Sequence, residues 1–150
     1  MTLISHSRMV GLCLQAADVL LKSGISAEVL NLRTIRPLDR AAILDAARRN
    51  HRIVTVEEGW PQSGVGAEIS AMIVESDAFH YLDAPIERVT GADIPMPYVH
   101  ARARVEVCMP PGARTNPPRV TRRYAENLES LARPKVEDIV AVTERVCFRE

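Results

Sequence analysis

The residues best suited to chemistry lie close together in one stretch, Val54–Ile69, with the sequence V-T-V-E-E-G-W-P-Q-S-G-V-G-A-E-I. Two carboxylates, Glu57 and Glu58, follow a short β-branched run, and Gly64 and Gly66 open a helix-like segment. Neighbouring strand residues point to opposite faces, so the two carboxylates are not predicted to act as an acid and base on one substrate atom. We expect one to face the following helix or a partner and the other to face solvent.

The glycine pair has two interpretations beyond a simple turn. Gly64 and Gly66 match the first half of a dinucleotide-binding fingerprint, but no third glycine follows at the required spacing. Free backbone N–H groups at such a helix start are able to hold an anion. The favoured interpretation is that the glycines let the loop pack closely against the sheet. Trp60, the only tryptophan, lies in a Gly-Trp-Pro turn and is a candidate interface anchor.

The remaining reactive side chains are scattered. Three cysteines and four histidines form no C-x-x-C and no metal-ligand spacing, which favours a reducing compartment. His6 lies between two serines, but a base must approach its nucleophile through space, so this is not a catalytic arrangement. Phosphate-loop, zinc-protease and nucleophile-elbow motifs are absent from the sequence. The residues alone therefore predict a domain without a self-contained active site.

Charge is balanced overall but unevenly spread. The chain has 19 basic and 19 acidic residues, yet residues 99–124 hold six arginines against Glu106 alone. The remainder has 13 basic and 18 acidic residues, a net charge of −5, which favours a basic partner over nucleic acid. No apolar run approaches the ~20 residues of a membrane span. Strand character from residue 2 onward is typical of a piece of a longer protein.

The elements that would position these residues alternate between strand and helix. Strands are predicted at residues 2–7, 27–32, 52–56 and 86–90, and helices at 9–22, 40–49, 64–75, 126–132 and 135–145. Gly24 is expected to end the first helix and Asp39 to cap the second. This order predicts an α/β fold, a three-layer sandwich with a parallel or mostly parallel sheet. Residues 99–124, rich in arginine and proline, are predicted to be a loop or disordered.

Several segments, in fixed order, resemble one family. They are S-H-S-R-M-V, A-E-V-L-N-L-R-T-I-R-P-L-D, the stretch Val54–Ile69, Y-L-D-A-P, R-V-T-G-A-D-I-P-M-P-Y and A-E-N-L-E. Together they resemble the C-terminal domain of the beta subunit of mitochondrial-type pyruvate dehydrogenase. The resemblance implies a transketolase C-terminal-like domain over residues 1–98 and 125–150. It leaves residues 99–124 as an insertion, either an unspliced segment of a gene model or a lineage-specific loop.

The resemblance also implies an α₂β₂ enzyme that decarboxylates pyruvate with thiamine diphosphate and Mg²⁺ and acylates a lipoyl group. Such an enzyme works in the mitochondrial matrix, or in the cytoplasm of a bacterium. In this family the cofactor lies between the alpha subunit and the beta subunit's N-terminal domain, so no catalytic, cofactor-binding or metal residue is expected here. The implied partners are the alpha subunit, a second beta subunit and the basic subunit-binding domain of dihydrolipoyl acetyltransferase.

Residues for these contacts follow from the same resemblance. Asp83, in Y-L-D-A-P, and the C-terminal end, including Phe148, match the family's docking region. Trp60, Gly64 and Gly66 are expected to be subunit contacts. Two alternatives stay open: the same domain of a branched-chain 2-oxo acid dehydrogenase, or a stand-alone α/β module that binds an anion at the glycine pair. Binding to nucleic acid or a membrane is not expected.

Overall fold

The expected alternation of strand and helix is present in the structure, a computed structural model that describes residues 1–95 and 129–148. The strands within these residues are β1 (Thr2–Ser5), β2 (Glu28–Asn31), β3 (Ile53–Val56) and β4 (Glu87–Val89). The helices are α1 (Met9–Lys22), α2 (Arg40–Asn50), α3 (Val65–Val74) and α4 (Val136–Cys147), with a 3₁₀ helix at Asp77–Tyr81 and a helical turn at residues 129–132. The predicted insertion, 99–124, and the start of the helix predicted at 126–132 lie outside the described residues.

The strands form one parallel sheet in the order β2-β1-β3-β4. Leu3, Val54 and Val56 pack on one face with α1 and α4, whereas Ile4 and Ile53 pack on the other face with α2 and α3. Strands buried on both faces are expected when crossover helices cover a parallel sheet from both sides. The predicted three-layer α/β sandwich is therefore confirmed.

Two helix boundaries have local causes that are visible in the sequence. After α1, Gly24 adopts φ +82°, its N–H donates to Leu21 O at 3.1 Å, and the N–H of Ile25 donates to Leu20 O at 2.9 Å. These are the two hydrogen bonds of a Schellman motif, which needs a residue that tolerates positive φ. Before α2, the Asp39 carboxylate accepts from the N–H of Ala42 at 3.1 Å. Both predicted boundaries are confirmed.

Contacts group Met1–Asp93 with Arg133–Glu150 in one compact unit, which holds the sheet and the helices α1 to α4. A second unit is formed by Ile94–Ala132, of which the structure describes residues 94, 95 and 129–132. In the described part of the chain, no helix has the length and apolar character that crossing a bilayer requires.

Candidate functional site

The carboxyl edge of the sheet is the natural place to look for a site. In open α/β sheets, ligands bind beyond the carboxyl ends of the strands, where the strand order reverses. Here β1 leads to β2 on one side and β3 leads to β4 on the other, so the reversal lies between the ends of β1 and β3. The segment after β3 contains Glu57, Glu58 and Trp60, which makes it the first candidate.

Glu57 turns inward and caps helix α3. Its side chain continues the alternation of Ile53 and Thr55 on the sheet face that α3 covers, and it is only 4% exposed. Oε1 of Glu57 accepts a hydrogen bond from the buried N–H of Gly66 at 3.2 Å. The N-cap residue, Gly64, has no side chain to accept a first-turn N–H, so Glu57 supplies the acceptor from the neighbouring strand. Its negative charge also suits the positive end of the helix dipole.

The two glycines are required by the closeness of this contact. A Cβ on Gly64 would lie 2.5 Å from Oε1 of Glu57. A Cβ on Gly66 would lie 2.6 Å from Oγ1 of Thr55 and 2.8 Å from Oε1 of Glu57. Real Cβ atoms essentially never approach other atoms this closely, so any side chain would force the carboxylate or the strand to move. The prediction that the glycines allow close packing is confirmed.

This arrangement corrects the anion-binding interpretation. The start of α3 already holds the carboxylate of Glu57, so a phosphate or diphosphate would have to displace a buried, hydrogen-bonded group. Gly66 is itself buried inside the chain, so its role here is packing rather than surface contact. Among residues 1–95 and 129–148, no three His, Cys, Asp or Glu side chains are grouped to hold a metal ion. The start of α3 therefore does not fit the diphosphate of a cofactor, because Glu57 occupies it.

Glu58 faces the other way and forms ion pairs. Its Oε1 lies 2.9 Å from Nε of Arg133 and 3.8 Å from Nη1 of Arg8. The opposite orientation of the two neighbouring glutamates is the one predicted from strand alternation. Beside them, Trp60 stays 51% exposed, and the carbonyl of Gly59 accepts from the N–H of Gly91 at 2.9 Å. The loop after β3 is thus fixed by internal contacts, with Trp60 as its exposed aromatic group.

The other predicted contact residues lie at the opposite, amino edge of the sheet. Asp83 is exposed, and its N–H donates to the carbonyl of His51 at 2.9 Å. Phe148, directly after α4, is 70% exposed. Both line one open cleft of about 330 Å³, together with Arg52, whose Nη1 donates to the carbonyl of Cys147 at 3.3 Å. The structure thus brings Asp83 and the end of α4 to one cleft, although the two are far apart in the sequence.

The predicted contact residues therefore lie at two separate edges of the sheet, and all of them except the buried Gly66 reach the surface. Trp60, Gly64 and Gly66 lie beyond the carboxyl ends of the strands, whereas Asp83 and Phe148 lie beyond the amino ends. No single partner surface is formed from all of them within the described residues.

Comparison with known families agrees with this fold. The model of the family described as "Transketolase, C-terminal domain" matches residues 1–111. The chain belongs to the transketolase C-terminal domain family. A solved structure titled "Split gene transketolase, inactive beta4 tetramer" has the same fold as this transketolase C-terminal domain, with a TM-score of 0.68 over 97% of this chain and 38% of that chain. At 20% identity, the likeness concerns the fold alone.

Three relatives of this transketolase C-terminal domain are named as beta subunits of the pyruvate dehydrogenase E1 component. This chain is 51% identical over 148 residues to pyruvate dehydrogenase E1 component subunit beta-1, mitochondrial, of Oryza sativa subsp. japonica. The match covers 99% of this chain and 32% of that subunit. The corresponding subunit of Arabidopsis thaliana is 49% identical over 148 residues, which cover 99% of this chain and 33% of that subunit. The beta subunit of Rattus norvegicus is 62% identical over 97 residues, with 65% and 27% covered. The chain thus spans about a third of the length of the curated relatives it matches.

Several residues important to these two edges were not predicted. Thr55 lies beneath Gly66, and Arg8 and Arg133 hold Glu58. Arg52 lines the same cleft as Asp83 although the two are far apart in the sequence. The spacing of Ile53, Thr55 and Glu57 was an available signal for Thr55, because residues two apart on a strand share a face. For the arginines the sequence contains no comparable signal.

Proposed function

We propose that this chain is the C-terminal domain of the beta subunit of a pyruvate dehydrogenase E1 component. The observation that carries the proposal is 51% identity over 148 residues to a beta subunit of which the chain covers only 32%. The rice, Arabidopsis and rat relatives all bear the pyruvate dehydrogenase name, which favours pyruvate over a branched-chain 2-oxo acid. Their names also support a place in the mitochondrial matrix.

In this proposal the domain serves assembly and docking, and the chemistry takes place elsewhere in the enzyme. The whole enzyme oxidatively decarboxylates pyruvate toward acetyl-CoA, with thiamine diphosphate and Mg²⁺ held by the alpha subunit and the N-terminal part of the beta subunit. The carboxyl edge of this domain supports that division, because Glu57 caps α3 and Glu58 pairs with arginines. Exposed Trp60 is the proposed contact with the alpha subunit or the second beta subunit of the heterotetramer.

The proposed docking partner is the basic subunit-binding domain of dihydrolipoyl acetyltransferase. Asp83 is exposed at the amino edge, in one cleft with Phe148. Outside residues 99–124 the chain carries a net charge of −5, which suits a basic partner through complementary potential. We treat residues 99–124 as an insertion in this domain, and sequencing of the mature transcript tests whether they reach the protein.

Purification of the native protein with an antibody raised against this chain tests the proposal. We expect a polypeptide about three times the length of this chain, isolated with an alpha subunit and active on pyruvate with thiamine diphosphate and Mg²⁺. Activity on 3-methyl-2-oxobutanoate in place of pyruvate would support the branched-chain alternative. A native polypeptide no longer than this chain, without an alpha subunit, would exclude both enzymes and leave a stand-alone module.

A further inference from the structure

An apolar groove lies beside Asp83, between the end of α3, the 3₁₀ helix and the segment leading to β4. Its volume is about 530 Å³. Six of its lining residues are apolar: Val74, Phe79, Leu82, Ala84, Pro85 and Ile86. Val74 is 55% exposed and Phe79 is 49% exposed, so two large apolar side chains of the groove face water in this chain. Apolar surface that lines a concave groove is typical of an interaction site, whereas single exposed apolar residues are ordinary.

The charge around the groove indicates what kind of partner covers it. Residues 68–87 include five carboxylates and no lysine or arginine. Asp77 is paired with Arg48 at 2.6 Å, and Glu87 lies 3.4 Å from Arg145. Asp83 has no cationic partner among residues 1–95 and 129–148, and it lines the groove as well as the cleft at the amino edge. The groove and the cleft are therefore two parts of one surface that meet at an acidic residue.

A second copy of this chain is a poor match for that surface. A two-fold contact would bring the same patch from each copy together, so Asp83, the only charged residue in the lining of the groove, would face a groove lined by no lysine or arginine. Like charges across an interface disfavour association, whereas a basic surface would be attracted. Electrostatic complementarity thus favours a basic protein over self-association through this groove.

We infer that the groove receives a large aliphatic or aromatic side chain of a basic protein partner, while Asp83 pairs with a neighbouring lysine or arginine of that partner. The inference rests on the proposed docking function, because it takes the acyltransferase's subunit-binding domain as the partner. It adds an apolar anchor to a docking site otherwise described by charge. Buried anchors of this kind mainly slow dissociation, whereas charges at a rim mainly speed association and make it depend on salt.

Binding measurements on the assembled enzyme with single substitutions in the beta subunit test the inference. Titration calorimetry with the purified subunit-binding domain, at low and high salt, gives the affinity and its salt dependence. We expect Phe79→Ala to weaken binding about tenfold or more, and Val74→Gln to weaken it by a smaller factor, with unchanged salt dependence. Asp83→Lys is expected to weaken binding and to reduce its salt dependence.

The matched control is Leu14→Gln on α1, which packs on the other face of the sheet. Leu14 is 54% exposed, nearly the same as Val74, so the substitution removes a similar exposed apolar group. Unchanged affinity for Leu14→Gln, with losses for Phe79→Ala and Val74→Gln, supports the inference. Loss of affinity for Asp83→Lys alone would overturn the inference of an apolar anchor and would leave the proposed docking function standing. Unchanged affinity in every variant would overturn both, and dissociation of the heterotetramer by Phe79→Ala would instead assign the groove to a subunit interface.

Discussion

Substitution of Gly66 by alanine tests the contact between Glu57 and helix α3. The new Cβ would lie 2.6 Å from Oγ1 of Thr55 and 2.8 Å from Oε1 of Glu57, so the strand, the carboxylate or the helix must shift. Overpacking of this kind costs about 1–3 kcal/mol. Alanine's higher helix propensity offsets up to ~1 kcal/mol of that cost. With the full offset, the free energy of unfolding is expected to fall by up to about 2 kcal/mol.

Urea unfolding of the purified chain, followed by the fluorescence of the single tryptophan, Trp60, measures this change. The matched control is Gly11→Ala in α1, where a Cβ would meet nothing within 4 Å. There the same substitution is expected to raise the free energy of unfolding by about 0.4–1 kcal/mol. One substitution is thus expected to have opposite signs at two helical glycines.

A second variant identifies the atoms responsible. Thr55→Ala removes Oγ1, the nearest obstacle to a Cβ on Gly66, so Gly66→Ala should cost less in that background. We expect a coupling free energy of about 0.5 kcal/mol or more between the two positions. Stabilisation by Gly66→Ala, as large as at Gly11, would refute the argument that close packing demands glycine. If the changes in unfolding free energy for Gly66→Ala and Thr55→Ala are strictly additive, Oγ1 of Thr55 is not the source of the strain.

Three further predictions concern single side chains. Asp83→Lys is expected to weaken binding of the acyltransferase's subunit-binding domain, and unchanged affinity at low salt would contradict that docking assignment. Asp39→Ala should lower the free energy of unfolding by about 1 kcal/mol in urea, because the N–H of Ala42 loses its acceptor, and Asp39→Ser should restore most of the loss. The hydrogen bond from Arg48 lowers the pKa of Asp77, so the pair's contribution to stability is present above the ordinary carboxyl pKa and is lost as pH falls through the lowered one. Carboxyl NMR titration should find that the pKa of Asp77 rises toward its ordinary value in Arg48→Gln, and an unchanged pKa would mean that Arg48 is not its main cause.

Local signals in the sequence were sufficient for the main elements. Helix α1 has the predicted bounds, Met9–Lys22, because its apolar spacing and Gly24 are both within one short segment. The cap at Asp39 was equally local. The 3₁₀ helix Asp77–Tyr81 was not predicted, since a single short turn has no periodicity to recognise. The N–H of Ala78, in its first turn, donates to Oγ of Ser76 at 3.1 Å.

The site depended on contacts that no local pattern encodes. Strand alternation predicted that Glu57 and Glu58 diverge, but the covering helix decides which of them turns inward. Because α3 packs on the face of Ile53, the inward residue is Glu57. The same holds at the amino edge, where tertiary packing brings Asp83 to the end of α4. The resemblance assigned Asp83 to docking, while the sequence contained no sign of the apolar groove beside it.

The position of the only tryptophan makes this domain able to report where a partner binds. Trp60 follows β3 at the carboxyl edge, and Asp83 precedes β4 at the amino edge, so about 13 Å of strand separates the two ends. A partner that shifts or quenches tryptophan emission must reach the carboxyl edge. A partner that binds without changing the emission of Trp60 is expected to bind at the amino edge. Trp60 is the only tryptophan of this chain, so its emission distinguishes the proposed subunit contact at the carboxyl edge from the proposed docking at the amino edge without any added label.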